Sequence, residues 1–242
     1  MNKELRALVE GDIKHEALGL ELPEGATPGL GAWSYGFYEY GMEVPDERVA
    51  KGIFAFKQEL IYRGFDKGII LDLPEYGKAI RDRVKEFQAA TGLAADGRIG
   101  PRTARALLWT RCVRSMNAAG VPDRLTARLI TLESNDDPVA QGYVDSDDEG
   151  LSQIHLPFHL DVSKEEAWDP SFAVGFVTGQ LVGAAANCGG DYDGGVASYN
   201  CGWFIAKQWV EAGKPASLVI NDFDWGARAT NYVRLVRKQP IY

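Results

Sequence analysis

The sequence predicts a mainly helical protein, with a small three-helix domain ahead of a larger helical domain and short strands in the N-terminal extension. Apolar residues recur every three or four positions along most of the chain after residue 45, which is typical of amphipathic helices. Aromatic residues alternate along residues 33–40, which is the period of a strand. We therefore divide the chain into an N-terminal extension (1–44), a three-helix domain (45–112) and a larger helical domain (113–242).

The N-terminal extension is the least informative part of the sequence. A turn-rich break at 23–29 precedes the aromatic stripe of Trp33, Tyr35 and Phe37. Such a stripe packs against a neighbouring domain or offers flat apolar surfaces to sugar rings. Both readings stay open, as does a role for the extension in docking onto another protein.

Three helices are predicted between residues 45 and 112. Their apolar faces hold Val49, Ile53, Phe56 and Leu60 in the first helix, Ile80, Val84 and Phe87 in the second, and Ala106 and Leu107 in the third. Between the last two, Asp96-Gly97 predicts a turn, and Pro101 suits the first turn of the third helix.

The loop residues of this segment carry a resemblance to a known family. The strings that carry it are Phe87-Gln88, Thr91-Gly92-Leu93, Asp96-Gly97, Ile99-Gly100-Pro101 and Thr103. In this order they resemble the second half of the small three-helix peptidoglycan-binding domain. The likeness is weaker before Val84, where residues 72–77 replace the family's first Asp-Gly loop. The resemblance implies that peptidoglycan is a partner.

Charge and composition exclude several classes of protein. The net charge is −8, which disfavours nucleic acid as a partner. Residues 49–128 carry +7 between acidic flanks, which suits an anionic partner or simply reflects domains of different charge. Apolar runs are too short to span a bilayer, so we expect no stable membrane insertion. Three cysteines predict a reduced compartment, although a Cys188–Cys201 bridge stays open.

The larger helical domain begins with a candidate general acid. Leu125, Leu129 and Leu132 predict a buried helix face that ends at Glu133-Ser134. A partly desolvated carboxyl group there would have a raised pKa, as a general acid near neutral pH requires. Taken alone, the pattern is more typical of a surface glutamate near a helix end.

Three later motifs change that interpretation. They are Gly150-Leu151-Ser152-Gln153-Ile154, Ser198-Tyr199-Asn200-Cys201-Gly202 and Asn231-Tyr232-Val233. Together with Glu133-Ser134, their order resembles the lytic transglycosylase and goose-type lysozyme superfamily over residues 118–238. The resemblance implies an all-α, lysozyme-like fold in which Glu133 protonates the glycosidic oxygen. It assigns substrate binding to Ser134, Asp145, Gln153, Ile154, Tyr199, Asn200 and Tyr232.

The same resemblance leaves two products open. In lytic transglycosylases the C6 hydroxyl of N-acetylmuramic acid attacks internally, so no second carboxylate is needed. Goose-type lysozymes use a water held by further acids. Here Asp145 or Asp147 could hold that water, but His155 stands where those lysozymes carry an acid. The acidic loop also fits a solvated surface, or one that holds a weak cation.

We therefore expect a peptidoglycan-degrading enzyme without metal or cofactor, which cleaves the β-1,4 bond between N-acetylmuramic acid and N-acetylglucosamine and leaves 1,6-anhydromuramic ends. No signal peptide is evident, as in bacteriophage lysins that leave the host cytoplasm for the wall or travel in the virion. The alternatives are a water-using muramidase, a non-catalytic wall-binding or tail structural protein, and a cellular wall-remodelling enzyme exported without the Sec pathway. We also expect the catalytic part to act on soluble glycans after removal of residues 45–112.

Overall fold

The computed structural model describes residues 27–28, 32–34, 38–42, 44, 47–142 and 147–240, most of which are helical. This confirms the predicted fold class. The chain forms two compact units, each assembled from separate segments. The Glu133 unit comprises the described residues within Leu22–Arg111 together with Glu133–Ala173. The Tyr199 unit comprises Cys112–Leu132 together with residues 174–240.

The helices agree with the apolar spacing of the sequence. In chain order they are α1 (Glu47–Tyr62), α2 (Lys78–Ala90), α3 (Pro101–Ala119), α4 (Leu125–Ser134), α5 (Lys164–Ala167), α6 (Pro170–Asn187), α7 (Tyr192–Cys201), α8 (Trp203–Glu211) and α9 (Trp225–Lys238), with a 3₁₀ turn at Leu156–Phe158. The first three are the helices predicted between residues 45 and 112. Pro101 is the first residue of α3, where its fixed φ and missing N–H cost nothing.

Short strands accompany the helices in each unit. They are β1 (Thr27–Pro28), β2 (Ala32–Ser34), β3 (Gln141–Gly142), β4 (Asp148–Glu149), β5 (Ile154–His155), β6 (Val219–Ile220) and β7 (Phe223–Asp224). In the Glu133 unit, β1 to β5 form one antiparallel sheet in sequence order. The pair of Trp33 with Gln141 joins the N-terminal extension to the segment that follows α4. In the Tyr199 unit, β6 and β7 form a hairpin.

The core of the Glu133 unit is built on the apolar faces of α1, α2 and α3. Its larger buried members are Tyr38, Val49, Ile53, Phe56, Leu60, Ile80, Val84, Phe87, Ile99 and Leu107. Tyr38 exchanges both backbone hydrogen bonds with Ile99, at 2.9 and 2.8 Å, and its ring meets Phe56 edge-on. Tyr38, which directly follows the aromatic stripe, therefore packs in the interior. The side chains of residues 33, 35 and 37 lie outside the part that the structure describes.

The Tyr199 unit packs helices closely through small residues. A Cβ on Gly195 of α7 would approach the Leu181 carbonyl oxygen of α6 to 2.9 Å, so only glycine allows this spacing. Helix α7 also packs against α8 and α9. Asp191 and Asp224 accept backbone N–H groups in the first turns of α7 and α9, which satisfies donors that a helix start leaves unpaired.

The two units do not follow the predicted domain bounds. The predicted division near residue 112 falls at the junction of Arg111 and Cys112, but residues 133–173 group with the three-helix segment rather than with the rest of 113–242. Within the described part of the chain, no single helix is long and apolar enough to cross a bilayer. Helices α6 and α7 reach that length and apolarity only as a pair bent by 111°.

Candidate functional site

The predicted site residues divide between the two units. Glu133, Ser134, Gln153 and Ile154 belong to the Glu133 unit, while Tyr199, Asn200 and Tyr232 belong to the Tyr199 unit. Asp145 lies outside the described residues. Each group is described below within its own unit.

The candidate acid lies in the last turn of α4. Glu133 is half-buried, whereas Ser134 is completely buried. The helix ends because Asn135 and Asp136 both take left-handed backbone conformations, with φ of 55° and 66°. Asparagine and aspartate tolerate this region better than other side chains, but two in succession need support from their surroundings. The raised pKa expected for Glu133 stays a prediction.

That support comes from residues far away in the sequence. The Tyr38 hydroxyl donates to Asp137 Oδ1 at 2.9 Å. Arg105 of α3 donates through Nε and Nη2 to Asp136 Oδ2, at 3.1 and 3.0 Å. Asp137 Oδ1 also accepts the Val139 N–H at 3.1 Å. The loop after Glu133 is therefore held by side chains of the three-helix segment and its N-terminal neighbour.

Gly150 has to be glycine for two reasons. Its φ is +74°, and a Cβ there would collide with the Ala167 carbonyl oxygen. After it, Leu151 and Ser152 are completely buried, and the Ser152 hydroxyl donates to the Ala173 carbonyl at 2.8 Å. Ile154 is 1% exposed and lies in β5. Its side chain therefore packs in the interior rather than on a substrate-facing surface.

Gln153 is the side chain of this motif that offers an unused polar atom. Its Nε2 donates to the carbonyl oxygens of Gly150 and Ala140, at 3.0 and 3.2 Å, which fixes the amide orientation. Its Oε1 is buried and has no hydrogen-bond partner among the described residues. A buried acceptor without a donor costs free energy, on the order of 1–3 kcal/mol, and such atoms are few in folded proteins. Gln153 also has φ of +47°.

The acids nearest to this motif are already engaged. Glu149 is 1% exposed, and both its oxygens accept from the Arg48 guanidinium at 2.9 Å. Trp168 Nε1 and Lys164 Nζ complete its shell, each at 2.9 Å. Glu149 therefore has no capacity left to orient a water molecule.

The neighbouring acid pairs with a histidine. Asp148 Oδ1 lies 2.8 Å from Nδ1 of His155, which stands opposite it in the β4–β5 register. The same imidazole contacts the ring of Phe158, tilted by 54° at a centroid distance of 4.5 Å, and Phe158 is 83% exposed. Asp147 is exposed to solvent. The sequence placed His155 where an acid was expected, but its pairing with Asp148 was not foreseen.

In the Tyr199 unit, Asn200 is held by an arginine that sequence reasoning missed. Arg228 of α9 donates through Nε to Asn200 Oδ1 at 2.6 Å, and through Nη2 to the Asn200 carbonyl at 2.9 Å. Burial lowers the pKa of the Arg228 guanidinium. Tyr199 is half-buried on α7, and Tyr232 is 3% exposed on α9. The packing of α9 on α7 thus fixes the Asn200 side chain.

Two exposed aromatic residues follow this motif directly. Trp203 and Phe204, at the start of α8, are 56% and 59% exposed, and their rings meet edge-on at 5.9 Å. The sequence shows these two adjacent aromatic residues just after Gly202, but we predicted no role for them. The nearby thiols are poorly reactive, because burial raises the pKa of Cys201 to about 12 and also raises that of Cys188.

The turn of the predicted wall-binding motif is held together by one glutamine. Gln88 Nε2 donates to Asp96 Oδ1 at 2.9 Å and to Thr103 Oγ1 at 3.1 Å, while its Oε1 accepts the Gly97 N–H at 2.8 Å. This explains why glutamine, Asp-Gly and threonine occur together in the sequence. The loop that contains residues 72–77, which replace the family's first Asp-Gly loop, is tied instead to Lys57, whose ammonium group donates to the Ile70 and Leu73 carbonyls.

Comparison with known proteins identifies one segment of the chain. Residues 50–107 match the model of a family described as "Putative peptidoglycan binding domain". This range lies within the predicted segment 45–112, so the resemblance given by the loop motifs is confirmed there. Neither the curated proteins nor the solved structures gave a match. The family match supports a cell-wall-related function with peptidoglycan as a partner. In the described ranges, no group of three or more histidine, cysteine, aspartate or glutamate residues could hold a metal ion.

Proposed function

We propose that the chain is a peptidoglycan-cleaving enzyme that acts as a lytic transglycosylase on the β-1,4 bond between N-acetylmuramic acid and N-acetylglucosamine. The observation that carries the proposal is that the matched wall-binding segment lies in the same compact unit as the candidate acid Glu133. A bacteriophage-type role fits this chemistry: the enzyme is made in the host cytoplasm and released to the wall, or carried in the virion.

The proposed chemistry needs one carboxyl group. Glu133 first protonates the glycosidic oxygen as the bond to C1 breaks, which gives an oxocarbenium-like transition state. The resulting carboxylate then takes the proton of the C6 hydroxyl while that oxygen bonds to C1. Acid and base are thereby regenerated in one cycle, and the product is a 1,6-anhydro ring.

Gln153 supplies the best-defined contact for a sugar. Its Oε1 is buried without a partner among the described residues, and its amide is held by two carbonyls, so it can accept one N–H or O–H bond once the side chains that cover it move aside. An N-acetyl N–H or a ring hydroxyl matches this acceptor. In the Tyr199 unit, the rings of Tyr199 and Trp203 are the proposed contacts for the apolar faces of sugar rings.

The engaged acids favour transglycosylation over hydrolysis. A hydrolase needs a carboxylate that holds a water, but Glu149 is enclosed by Arg48, Lys164 and Trp168, and Asp148 pairs with His155. Transglycosylation takes its nucleophile from the substrate and does not need these acids. The water-using alternative remains tied to Asp147, which is exposed, and to Asp145.

The product decides between these two chemistries. Purified sacculi digested by the whole protein should release muropeptides that are lighter by one water than hydrolysed ones, as mass spectrometry will measure. A digest dominated by reducing ends, together with loss of activity in Asp147→Asn, would contradict transglycosylation and support a muramidase. The exposed Asp161→Asn serves as the matched control for the substitution.

A second candidate function is binding without catalysis, which the family match alone would support. The protein would then pull down with sacculi but release no soluble muropeptide, even at long times. Release of any muropeptide that depends on Glu133 contradicts this candidate.

A further inference from the structure

The loop that follows the candidate acid, residues 135–137, is held from the side of the wall-binding segment. Arg105 lies within the range that matches the peptidoglycan-binding family, and it binds Asp136. Tyr38, whose backbone pairs with Ile99 of the same segment, binds Asp137 through its hydroxyl. The bond between Arg105 and Asp136 joins residues that are 31 positions apart in the sequence, and the bond between Tyr38 and Asp137 joins residues that are 99 positions apart.

The Tyr38–Asp137 bond is buried, and the Arg105–Asp136 pair is partly buried. Asp136 is 2% and Asp137 is 4% exposed, so each carboxylate would pay a large desolvation cost without its partner. The αL residues Asn135 and Asp136 end the helix, and the loop keeps two turn bonds of its own, from the Asp137 N–H to the Ser134 carbonyl at 3.2 Å and from the Ala140 N–H to the Asp137 carbonyl at 3.3 Å. Its path after the last turn of α4 is therefore set by these turn bonds together with the side chains that bind its carboxylates.

The loop also lies against the wall-binding segment. A small, partly open pocket of about 10 Å³, no larger than one water molecule needs, lies where they meet and is lined by Tyr38, Phe56, Ile99, Gly100, Pro101, Ala104, Asn135, Asp136 and Asp137. The polar bonds from Tyr38 and Arg105 therefore act together with this packing to hold the loop at this side.

We infer that Tyr38 and Arg105 are positioning residues for Glu133, so that the segment which binds the wall also sets the efficiency of the acid. This inference rests on the proposed function. It differs from a simple tether, which raises the local enzyme concentration on an insoluble polymer but leaves turnover of soluble fragments unchanged. Neither residue contacts the substrate in this account; each acts by fixing the loop behind the acid.

The chain offers a matched control for each positioning residue. Tyr76 is also 2% exposed and donates through its hydroxyl, at 3.0 Å to the Gly97 carbonyl, but it does not contact the loop after Glu133. Arg111, on the same helix as Arg105, binds the buried Glu59 at 2.6 and 2.8 Å. Tyr38→Phe is compared with Tyr76→Phe, and Arg105→Lys with Arg111→Lys, all in the full-length protein.

The test measures kcat and KM on soluble, uncross-linked peptidoglycan glycans, with thermal unfolding and sacculus pull-down on the same samples. We expect Tyr38→Phe and Arg105→Lys to lower kcat roughly 10- to 100-fold with KM changed less than about twofold, because displacement of an acid acts on turnover rather than on binding. Tyr76→Phe and Arg111→Lys should keep kcat within about twofold of the wild-type value, even if their unfolding temperatures fall as far as those of Tyr38→Phe and Arg105→Lys.

Each outcome decides a different point. The positioning role is overturned if Tyr38→Phe has the same kcat as its control Tyr76→Phe. It is also overturned if kcat falls in both pairs of variants only as much as the fraction of unfolded protein rises. In either case the proposed function stands. If the unchanged protein does not turn over any soluble glycan, the proposed function fails and the inference fails with it. Because Tyr38→Phe removes a single oxygen and keeps the ring against Phe56, it tests the role even if Arg105→Lys does not fold.

Discussion

The two units use charged side chains in opposite ways. Among the described residues, the buried charged side chains all belong to the Glu133 unit: Arg48, Lys57, Glu59, Asp136, Asp137 and Glu149. In the Tyr199 unit the buried polar residues are threonines, with Thr126 and Ser115 bonded to Thr178. Its ion pairs, such as Arg237 with Asp193, lie at the surface.

This difference shows which unit holds its buried side chains in one fixed arrangement. Burying an ion pair seldom adds stability over an apolar contact, since desolvation offsets most of the attraction. It does restrict the arrangement, because each charge must keep its partner. The Glu133 unit joins separate segments by such pairs, whereas the Tyr199 unit relies on close packing of small residues.

The largest effect on stability is expected from Glu149→Leu. This change leaves the Arg48 guanidinium, 9% exposed, without its carboxylate, and removing one partner of a buried pair costs about 3–5 kcal/mol. Urea denaturation of the full-length protein will measure the loss. Asp147→Leu, at an exposed position two residues away, is the control. A loss below about 1 kcal/mol for Glu149→Leu would show that the buried pair does not hold the unit together.

The side chains that we propose as substrate-binding should affect activity more than stability. Gln153→Ala and Tyr199→Phe are expected to lower glycan cleavage on the order of 10- to 1000-fold, because each removes about 1–4 kcal/mol of binding or transition-state stabilisation. Initial rates on soluble glycans will measure this. Gln208→Ala, on α8 in the Tyr199 unit, is the control for Gln153→Ala. Activity unchanged in Gln153→Ala would mean that its buried Oε1 serves no substrate.

A smaller effect is expected from the cap of α9. Asp224 accepts the Ala227 N–H at 3.0 Å and the Leu218 N–H at 2.9 Å, and the first of these bonds is the main reason why its pKa is lowered. Asp224→Ala should cost about 1 kcal/mol, while Asp224→Asn, which keeps an acceptor, should cost less.

The pH dependence of this cap follows from the sign of the shift. A carboxyl group whose pKa is lower in the folded state stabilises the fold above its unfolded pKa, and this contribution is lost as the pH falls through the folded value. Thermal unfolding of wild type and Asp224→Ala should therefore differ at pH 7 and converge in strong acid. A constant difference at all pH values would contradict the cap.

The smallest effect is expected from the surface pairs of the Tyr199 unit. Arg237 is 40% exposed in its ion pairs with Asp193 and Asp123, so Arg237→Ala should cost less than about 1 kcal/mol, and the cost should shrink in high salt. Denaturation at low and high ionic strength will check this. A loss as large as that of Glu149→Leu would remove the contrast between the two units.

The sequence predicted the parts of this protein that depend on local order. Helices α1 to α3, the turn at Asp96-Gly97 and the glycine at position 150 all follow from spacing or backbone constraints within a few residues. By contrast, the bond between Arg48 and Glu149 joins residues 101 positions apart, and no local pattern marks either residue as a partner. Long-range pairs of this kind are chosen by the fold, so they become visible only in three dimensions.

The same limit explains why the predicted domain bounds differ from the compact units. Apolar periodicity and motifs divide a chain where patterns change, near residue 112, but they do not show which segments share a core. Because residues 133–173 bind Tyr38, Arg48 and Arg105, the segment 113–242 is not self-contained. Removal of residues 45–112 would expose buried carboxylates, so the expectation that the remainder acts alone is not supported by this structure.

We propose that Glu133 is the acid that cleaves the wall, and that the wall is bound by the same unit. The clearance of purified sacculi by Glu133→Gln tests this proposal. We expect clearance to fall about 10²- to 10⁴-fold, with sacculus pull-down and thermal unfolding unchanged, because a general acid contributes to turnover and not to the fold. Glu165→Gln, at an exposed position of the same unit, should clear sacculi like the wild type. Clearance by Glu133→Gln near the wild-type rate would contradict the account.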